Sequence, residues 1–259
     1  MQGQPQTAQP VRLDMFESEK IARKYDHWFE TEAGQFAFTQ EKRLIQHLVS
    51  SWPRRRQTLL DIGCGTGAFL ELFWESGFDV SGIDASARML ARARQKMGAK
   101  ADLHLGKAQY LPFDDNEFDF SAMITLLEFC ENPQKVIQEA ARVTKKGILL
   151  CFLNKISPYY LSRKLLPANS TGITARARWF THKEIKKIVS TTVGPEEIYS
   201  LSVLPGSCFM WKDRWLLRYL NKVFWPPCIG SFIGMRIELL ESAPLKTPLM
   251  AFTKEVGAR

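Results

Sequence analysis

The sequence lacks an uncharged apolar run long enough to cross a bilayer, which argues against a membrane-spanning helix. Its first ten residues, MQGQPQTAQP, have no apolar h-region, so residues 1–15 are predicted to be a disordered tail rather than a signal peptide. The five cysteines include no C-x-x-C pair, which argues against both a zinc site and a disulfide framework. These features together indicate a reduced, cytoplasmic protein.

The charge balance is basic but not one-sided. The chain has 35 Lys and Arg and 27 Asp and Glu, which gives a net charge of +8. Of its 259 residues, 45% are hydrophobic. This composition is typical of a globular chain with a sizeable core. The excess of positive charge would favour binding to nucleic acid, a membrane surface or an acidic metabolite. Because the basic residues are spread along the chain, they indicate none of these partners over the others.

Internal repeats and domain linkers are also lacking, and predicted strands alternate with predicted helices. The strands are expected at Thr58–Ile62, Val80–Asp84, Leu103–Leu105, Phe118–Thr125, Ile148–Leu153, Tyr199–Val203 and Leu249–Thr253. The helices are expected at Ser18–Glu30, Phe36–Trp52, Thr66–Glu75 and Ser86–Met97, from Asn132 to Gly147, and from a capping box of Thr181 and Glu184. Strands separated by helices pair mostly in parallel, so the predicted fold class is doubly wound α/β with a mostly parallel seven-stranded sheet.

Three alternate glycines separate the first strand from its helix in LLDIGCGTGAFLELF: Gly63, Gly65 and Gly67. Glycine has no Cβ, so a ligand can approach the main chain at such a turn, where the following helix also offers free N–H groups. Asp84, at the tip of the second strand, could accept hydrogen bonds from ribose hydroxyls. The turn also fits the dinucleotide pattern G-x-G-x-x-A, so on its own it leaves an adenosyl cofactor and NAD(P) both open.

Four ordered motifs surround this turn: LLDIGCGTG, GFDVSGIDASARML, LPFDDNEFDFSAMITLLEF and RVTKKGILL. Together they resemble the class I S-adenosylmethionine-dependent methyltransferases, in the small-molecule branch (methyltransferase type 11-like). The resemblance runs from about residue 25 to residue 153. It implies a Rossmann-like fold, S-adenosyl-L-methionine as cofactor and no metal.

The resemblance also implies a role for each matching position. Asp61, Gly63, Cys64, Gly65 and Gly67 would lie under the methionine part of the cofactor, with Asp84 on the ribose, Ala85 and Met89 against the adenine, Thr125 near the methionine moiety, and Tyr25 closing over the cofactor from the amino-terminal helix. One position departs from the family, which usually has Gly-Asp-Ala where this chain has Gly106-Lys107-Ala108. Lysine cannot accept the adenine amine proton. Either Ala108 and Gln109 supply the contact or adenine recognition is weakened.

Methyl transfer from a sulfonium is an in-line displacement that needs a general base only when the acceptor is protonated. His27 and Glu128 are the candidate bases, with a solvated lid histidine and a loop-orienting carboxylate as the alternative interpretations. The chain lacks both the Asn/Asp-Pro-Pro-aromatic run and the Pro-Cys nucleophile of enzymes that methylate nucleic acid bases. A nucleic acid acceptor is therefore not favoured.

The unusual segment is 205–247, predicted as an insertion between the last two strands. Trp211, Trp215 and Tyr219 follow at i,i+4 beside a basic stripe, which fits an aromatic lid over an apolar acceptor. Peripheral membrane contact through 211–235 and a homodimer contact are the alternatives.

We therefore predict one methyltransferase domain over 16–259, with a helical lid (16–57), a cofactor-binding core (58–204), the insertion (205–247) and a final strand and tail (248–259). It is expected to methylate a small, apolar or aromatic-bearing molecule. An NAD(P)-dependent oxidoreductase and a non-catalytic S-adenosylmethionine-binding module are the alternative functions.

Overall fold

The computed structural model describes residues 26–165, 177–194, 197–211 and 215–239. Its seven strands are β1 Thr58–Ile62, β2 Asp79–Asp84, β3 Ala101–Leu105, β4 Phe118–Ile124, β5 Thr144–Leu153, β6 Glu197–Val203 and β7 Phe232–Glu238. Its helices are α1 Glu32–Leu48, α2 Leu70–Glu75, α3 Ala87–Met97, α4 Pro133–Val143, α5 Pro158–Leu165, α6 His182–Thr192 and α7 Trp215–Lys222. Residues 26–30 are also helical.

One sheet joins all seven strands in the order β3-β2-β1-β4-β5-β7-β6. The five strands from β3 to β5 pair in parallel, whereas β7 is antiparallel to both β5 and β6. This arrangement confirms the predicted doubly wound α/β class. The carboxyl ends of β1, β2, β4 and β5 consequently meet at one edge of the sheet, where such folds bind their ligands.

The central strands β1, β4 and β5 bury both of their faces, as parallel strands between helices must. Leu59 and Cys151 pack on one face with helices α1, α2 and α3, while Leu60 and Leu150 pack on the other with α4 and α6. The side-chain alternation of a strand thus divides the core into two layers.

Three of the predicted helix starts are confirmed by their caps. Ser86 Oγ accepts a hydrogen bond from the Met89 amide at 3.2 Å, and Asn132 Oδ1 accepts from the Lys135 amide at 3.0 Å. Thr181 and Glu184 form the reciprocal capping box at the start of α6.

Helix α1 begins and ends four residues before its predicted bounds, and two other helix boundaries differ from the prediction for a structural reason. The helix after the glycines begins at Leu70 rather than Thr66, because Gly67 has a φ of +79° that no α-helix accommodates. Helix α4 ends at Val143, and Gly147 lies inside β5 instead of ending the helix. A Cβ at Gly147 would lie 3.0 Å from the Trp52 ring, so this glycine serves packing.

The seventh strand also differs, because β7 lies inside the segment 205–247 predicted as an insertion. The connection between β6 and β7 is therefore residues 204–231. A Cβ at Gly234 would lie 2.4 Å from Leu48 Cδ1, so α1 packs directly on the backbone of β7. That glycine and the charged Arg236 interrupt the apolar alternation from which strands are predicted.

The predicted strand Leu249–Thr253 lies outside the described residues. Within them, no helix has the length and apolarity needed to cross a membrane.

Candidate active site

Each of the three glycines after β1 has a different reason to be glycine. The Gly63 amide donates to the Ile83 carbonyl at 2.7 Å, and a Cβ there would meet Leu126 Cδ1 at 2.5 Å. Gly67 lies against helix α3, with its virtual Cβ 3.3 Å from Ala93 Cβ. Gly65, with a φ of +54°, has no heavy atom within 4 Å of that position and lies in the wall of a cleft. Only Gly65 offers open main chain to a ligand.

The Asp84 carboxylate joins this loop to the next helix. Its Oδ2 accepts a hydrogen bond from the Gly65 amide at 2.9 Å, and its Oδ1 accepts from the Ser86 amide at 2.8 Å. Two main-chain donors fix the orientation of the carboxylate at the tip of β2. Asp84 also lines the cleft, so it is held where a ligand hydroxyl can reach it.

The cleft lies at the carboxyl ends of β1, β2 and β4. The residues predicted from the sequence that line it are Gly63, Gly65, Asp84, Ala85, Met89, Ala108, Gln109 and Thr125. The remaining lining residues are Ile83, Gly106, Lys107, Ile124, Leu126, Phe129 and Cys130. Most of these additional residues are apolar ends of strands or belong to the turn after β4, and the only sequence signal for them was their place at the ends of predicted strands.

The methyltransferase-domain family matches residues 60–152, which run from β1 to β5 and include the whole lining of this cleft. Residues 60–152 of this chain therefore match a methyltransferase domain, and the sheet around them has the fold of solved S-adenosylmethionine-dependent methyltransferases. An uncharacterized protein of Methanocaldococcus jannaschii is 39% identical over 130 residues, covering 50% of this chain and 56% of that protein. A phosphatidylethanolamine N-methyltransferase of Cereibacter sphaeroides is 33% identical over 138 residues, covering 51% and 66%.

Solved structures of methyltransferases share the fold over a longer stretch. A methyltransferase of Thermotoga maritima superposes with a TM-score of 0.68 at 22% identity, covering 88% of this chain and all of the other. Magnesium protoporphyrin IX methyltransferase of Synechocystis gives 0.63 at 16%, covering 86% and 96%. Sequence similarity to the first two curated relatives is thus confined to about half of this chain and to 56% and 66% of theirs, while the architecture extends well beyond it.

Three residues predicted to bind the methyltransferase cofactor lie behind the cleft wall rather than in it. Gly67 and the buried Cys64 belong to the packing of the loop, and Asp61 is 2% exposed at the end of β1. Burial raises the pKa of Asp61 to about 7, and the neighbouring charge of Asp84 adds to the shift. Tyr25 lies outside the described residues. The cofactor-binding roles of these four residues, like those of the predicted residues that line the cleft, stay predictions.

The two candidate bases occupy very different environments. His27 has a side chain that is 72% exposed, with Nδ1 2.9 Å from Glu30 Oε2, and it does not line the cleft. Glu128 does not line the cleft either: it is 1% exposed, and its Oε1 accepts a hydrogen bond from the Leu153 amide at 2.7 Å. The Glu128 carbonyl accepts from the Arg178 amide at 2.9 Å. Glu128 therefore ties the turn after β4 to the end of β5.

The second carboxyl oxygen of Glu128 is the atom of this side chain that could accept a proton. Oε2 is buried and has no hydrogen-bond partner. Burial raises the pKa of Glu128 to about 8, although the Leu153 amide lowers it in part. A carboxyl group with such a pKa can hold or release a proton near neutral pH, as general bases do.

Proposed function

We propose that this methyltransferase transfers the methyl group of S-adenosyl-L-methionine to a small, apolar or aromatic-bearing acceptor. The observation that carries the proposal is the convergence of an open Gly65 and an oriented Asp84 carboxylate on a largely apolar cleft. The family match over residues 60–152 supports the same cofactor.

The cleft fits an adenosyl group at each of its walls. Asp84 offers acceptor oxygens for a pair of ribose hydroxyls, and Gly65 leaves room for a ligand against the main chain. Ile83 and Met89 supply apolar contacts for a purine ring. Lys107 is exposed and cannot accept a hydrogen bond, so main-chain groups near Ala108 are the proposed partners of the adenine amine. The bound cofactor would bring the activated methyl carbon, leaving the chain to align the acceptor and exclude water.

Two features support an apolar acceptor. Ile124, Leu126 and Phe129 line the cleft on the side of β4. Beyond β5, the ring of Tyr159 lies 4.6 Å from Trp211 and 5.9 Å from Trp179, an aromatic cluster at the adjacent strand end. The named relatives act on chemically different acceptors, including phosphatidylethanolamine and malonyl-[acyl-carrier protein], so their names select none for this chain.

Glu128 is the proposed proton acceptor when the acceptor group carries a proton. Its unpartnered Oε2 lies in the turn that supplies Leu126, Phe129 and Cys130 to the cleft. A catalytic role of the exposed His27 stays a prediction with weaker geometric support.

The cofactor assignment is tested by calorimetric titration with S-adenosylhomocysteine. Asp84→Asn should weaken binding by about tenfold to a hundredfold, because one charged acceptor of a ribose hydroxyl is lost. Asp79→Asn, an exposed position at the other end of the same strand, is the matched control and should bind like wild type. Selective binding of NADPH would instead support the oxidoreductase alternative.

Catalysis is tested separately with methyl-labelled cofactor and a small-molecule cell extract. Label should appear in an organic-extractable compound with wild type and be reduced with Asp84→Asn. Cofactor binding without any transfer would support the non-catalytic binding module.

A further inference from the structure

Helix α5 presents an apolar surface to solvent. Ile156 just before the helix is 57% exposed, and Leu161 and Leu165, one turn apart, are 56% and 69% exposed. Residues at i and i+4 lie on the same side of a helix, so the two leucines form one face. The opposite side of α5 holds Tyr159, whose ring packs on Trp179 and Trp211.

The same face is basic and has no acidic partner in its own stretch of sequence. Lys155 and Lys164 are exposed beside the apolar residues. No Asp or Glu occurs between Glu139 and Glu184, whereas nine Lys or Arg do. Glu184 accepts a hydrogen bond from the Thr181 amide at 2.7 Å, and the nearby charges of Lys155 and Arg178 help to lower its pKa. Glu184 thus offsets part of the charge of Lys155, while the basic residues of this stretch still outnumber the acidic ones. The face therefore combines apolar contact area with an excess of positive charge.

A second surface of the same kind lies on α7. This helix follows Trp211 in the sequence, and the Trp211 ring is 4.6 Å from that of Tyr159. At the end of α7, Tyr219, Leu220 and Val223 are exposed beside Lys222. No acidic residue occurs between Asp213 and Glu238. Both helices thus expose apolar residues and lysine together.

We propose that the exposed faces of α5 and α7 dock this protein on an anionic lipid surface. Apolar residues flanked by lysines on short helices suit the headgroup region, where the apolar side chains enter and the lysines meet lipid charge. Charge complementarity favours this occupant over a second copy of the chain, because like-charged faces would repel when paired. Helix α5 follows the carboxyl end of β5, so docking turns the candidate-site edge of the sheet toward the lipid.

Vesicle co-sedimentation tests the proposal without requiring methyl transfer, so its outcome is independent of the proposed function. Wild type should bind vesicles of phosphatidylcholine with one quarter phosphatidylglycerol and release them as salt rises. Lys155→Gln with Lys164→Gln should weaken binding about twenty-five-fold, since each lysine near an anionic surface contributes about a factor of five. Leu161→Ser with Leu165→Ser should abolish the binding that survives high salt.

Matched variants separate docking from general effects. Trp74→Ser removes an exposed aromatic residue from the last turn of α2, which runs back toward the amino ends of the strands, and should bind vesicles like wild type. Lys186→Gln with Lys187→Gln removes two exposed charges from α6 and should have far less effect than the α5 pair. Unchanged thermal midpoints for all variants would exclude unfolding as the cause.

Three results would overturn the proposal. The first is equal binding to pure phosphatidylcholine vesicles, and the second is an equal loss of binding in the α6 lysine variant. The third is a wild-type dimer, measured by light scattering, that becomes monomeric with Leu161→Ser and Leu165→Ser, because a second copy would then cover the face.

Discussion

Asp26 Oδ1 accepts a hydrogen bond of 2.8 Å from Thr66 Oγ1, joining the segment before α1 to the glycine loop. Lys96 Nζ lies 3.2 Å from the same carboxyl oxygen, and Arg92 pairs with the other. Burial acts to raise the pKa of Asp26, but the Thr66 hydrogen bond and the two cations hold it below its usual value. The amino-terminal segment is thus fastened by an ionised side chain to the loop under the proposed cofactor site.

Asp26→Asn should loosen this fastening and weaken S-adenosylhomocysteine binding by about fivefold to tenfold, because a charge-assisted hydrogen bond typically contributes about 1.5–3 kcal/mol and part of it reaches the site. Thr66→Val should act in the same direction. Hydrogen exchange supplies the decisive readout: the ligand should protect residues 26–30 in wild type and much less in both variants. Asp102→Asn, an exposed carboxylate on β3, is the control. Equal protection in Asp26→Asn would contradict the coupling.

Gly65 and Gly98 form a natural matched pair, because both have a φ of +54° and no heavy atom within 4 Å of a virtual Cβ. Alanine at either position should destabilise the fold by about 1–2 kcal/mol or more through positive-φ backbone strain, with the larger loss at Gly98, whose ψ of −125° lies outside the left-handed helical region. Only Gly65→Ala places a methyl group in the cleft, so only it should reduce S-adenosylhomocysteine affinity, by tenfold or more. Urea unfolding and calorimetry measure the two effects. Similar affinity losses in both variants would show that backbone strain, rather than access, limits binding.

The parallel sheet and most of its elements could be predicted because local signals agreed with the tertiary packing. The caps at Ser86, Asn132 and Thr181 are short-range chemistry, and the apolar run of β5 is a buried strand wherever it occurs. Strand β7 could not be predicted, since Gly234 is explained only by α1, nearly two hundred residues earlier in the chain.

The candidate site also contains residues that could be predicted from local sequence and residues that could not. Gly65 and Asp84 follow from the strand–turn–helix motif, whereas Phe129 and Cys130 enter the cleft through the path of a turn after β4. The contacts of Asp26 could not be predicted, because its partners Thr66 and Arg92 lie 40 and 66 positions away in the sequence. Contacts of that separation leave no periodic pattern in a single sequence.

Lys107 occupies the position where the family pattern has an acidic residue, and it lines the cleft. Lys107→Asp should therefore add an acceptor for the adenine amine and increase S-adenosylhomocysteine affinity about fivefold, the effect of about 1 kcal/mol from one net hydrogen bond. The gain should disappear with S-inosylhomocysteine, which lacks that amine. Lys107→Asn is the uncharged comparison, because its amide oxygen can also accept. A gain that persists with the inosine analogue would indicate a general charge effect instead.

Glu128 should make the fold less stable as the pH rises. Its pKa is raised to about 8, so between the ordinary value of 4.5 and about 8 the folded chain holds a proton that the unfolded chain has released. The unfolded state then binds fewer protons, and the free energy of unfolding falls with increasing pH, by about 1.4 kcal/mol per pH unit from this group.

Glu128→Gln should flatten that part of the dependence, because glutamine does not titrate. Urea unfolding at intervals from pH 5 to pH 8 measures the slope for each variant. Glu184→Gln is the control with the opposite shift. The Glu184 carboxylate accepts a hydrogen bond from the Thr181 amide, which lowers its pKa. The stability that Glu184 contributes is therefore present above pH 4.5 and is lost only as the pH falls further. The Glu184 variant should keep the wild-type slope over this range. If Glu128→Gln kept it too, the carboxyl group would be ionised in the folded protein, and its unpartnered oxygen would have to be solvated.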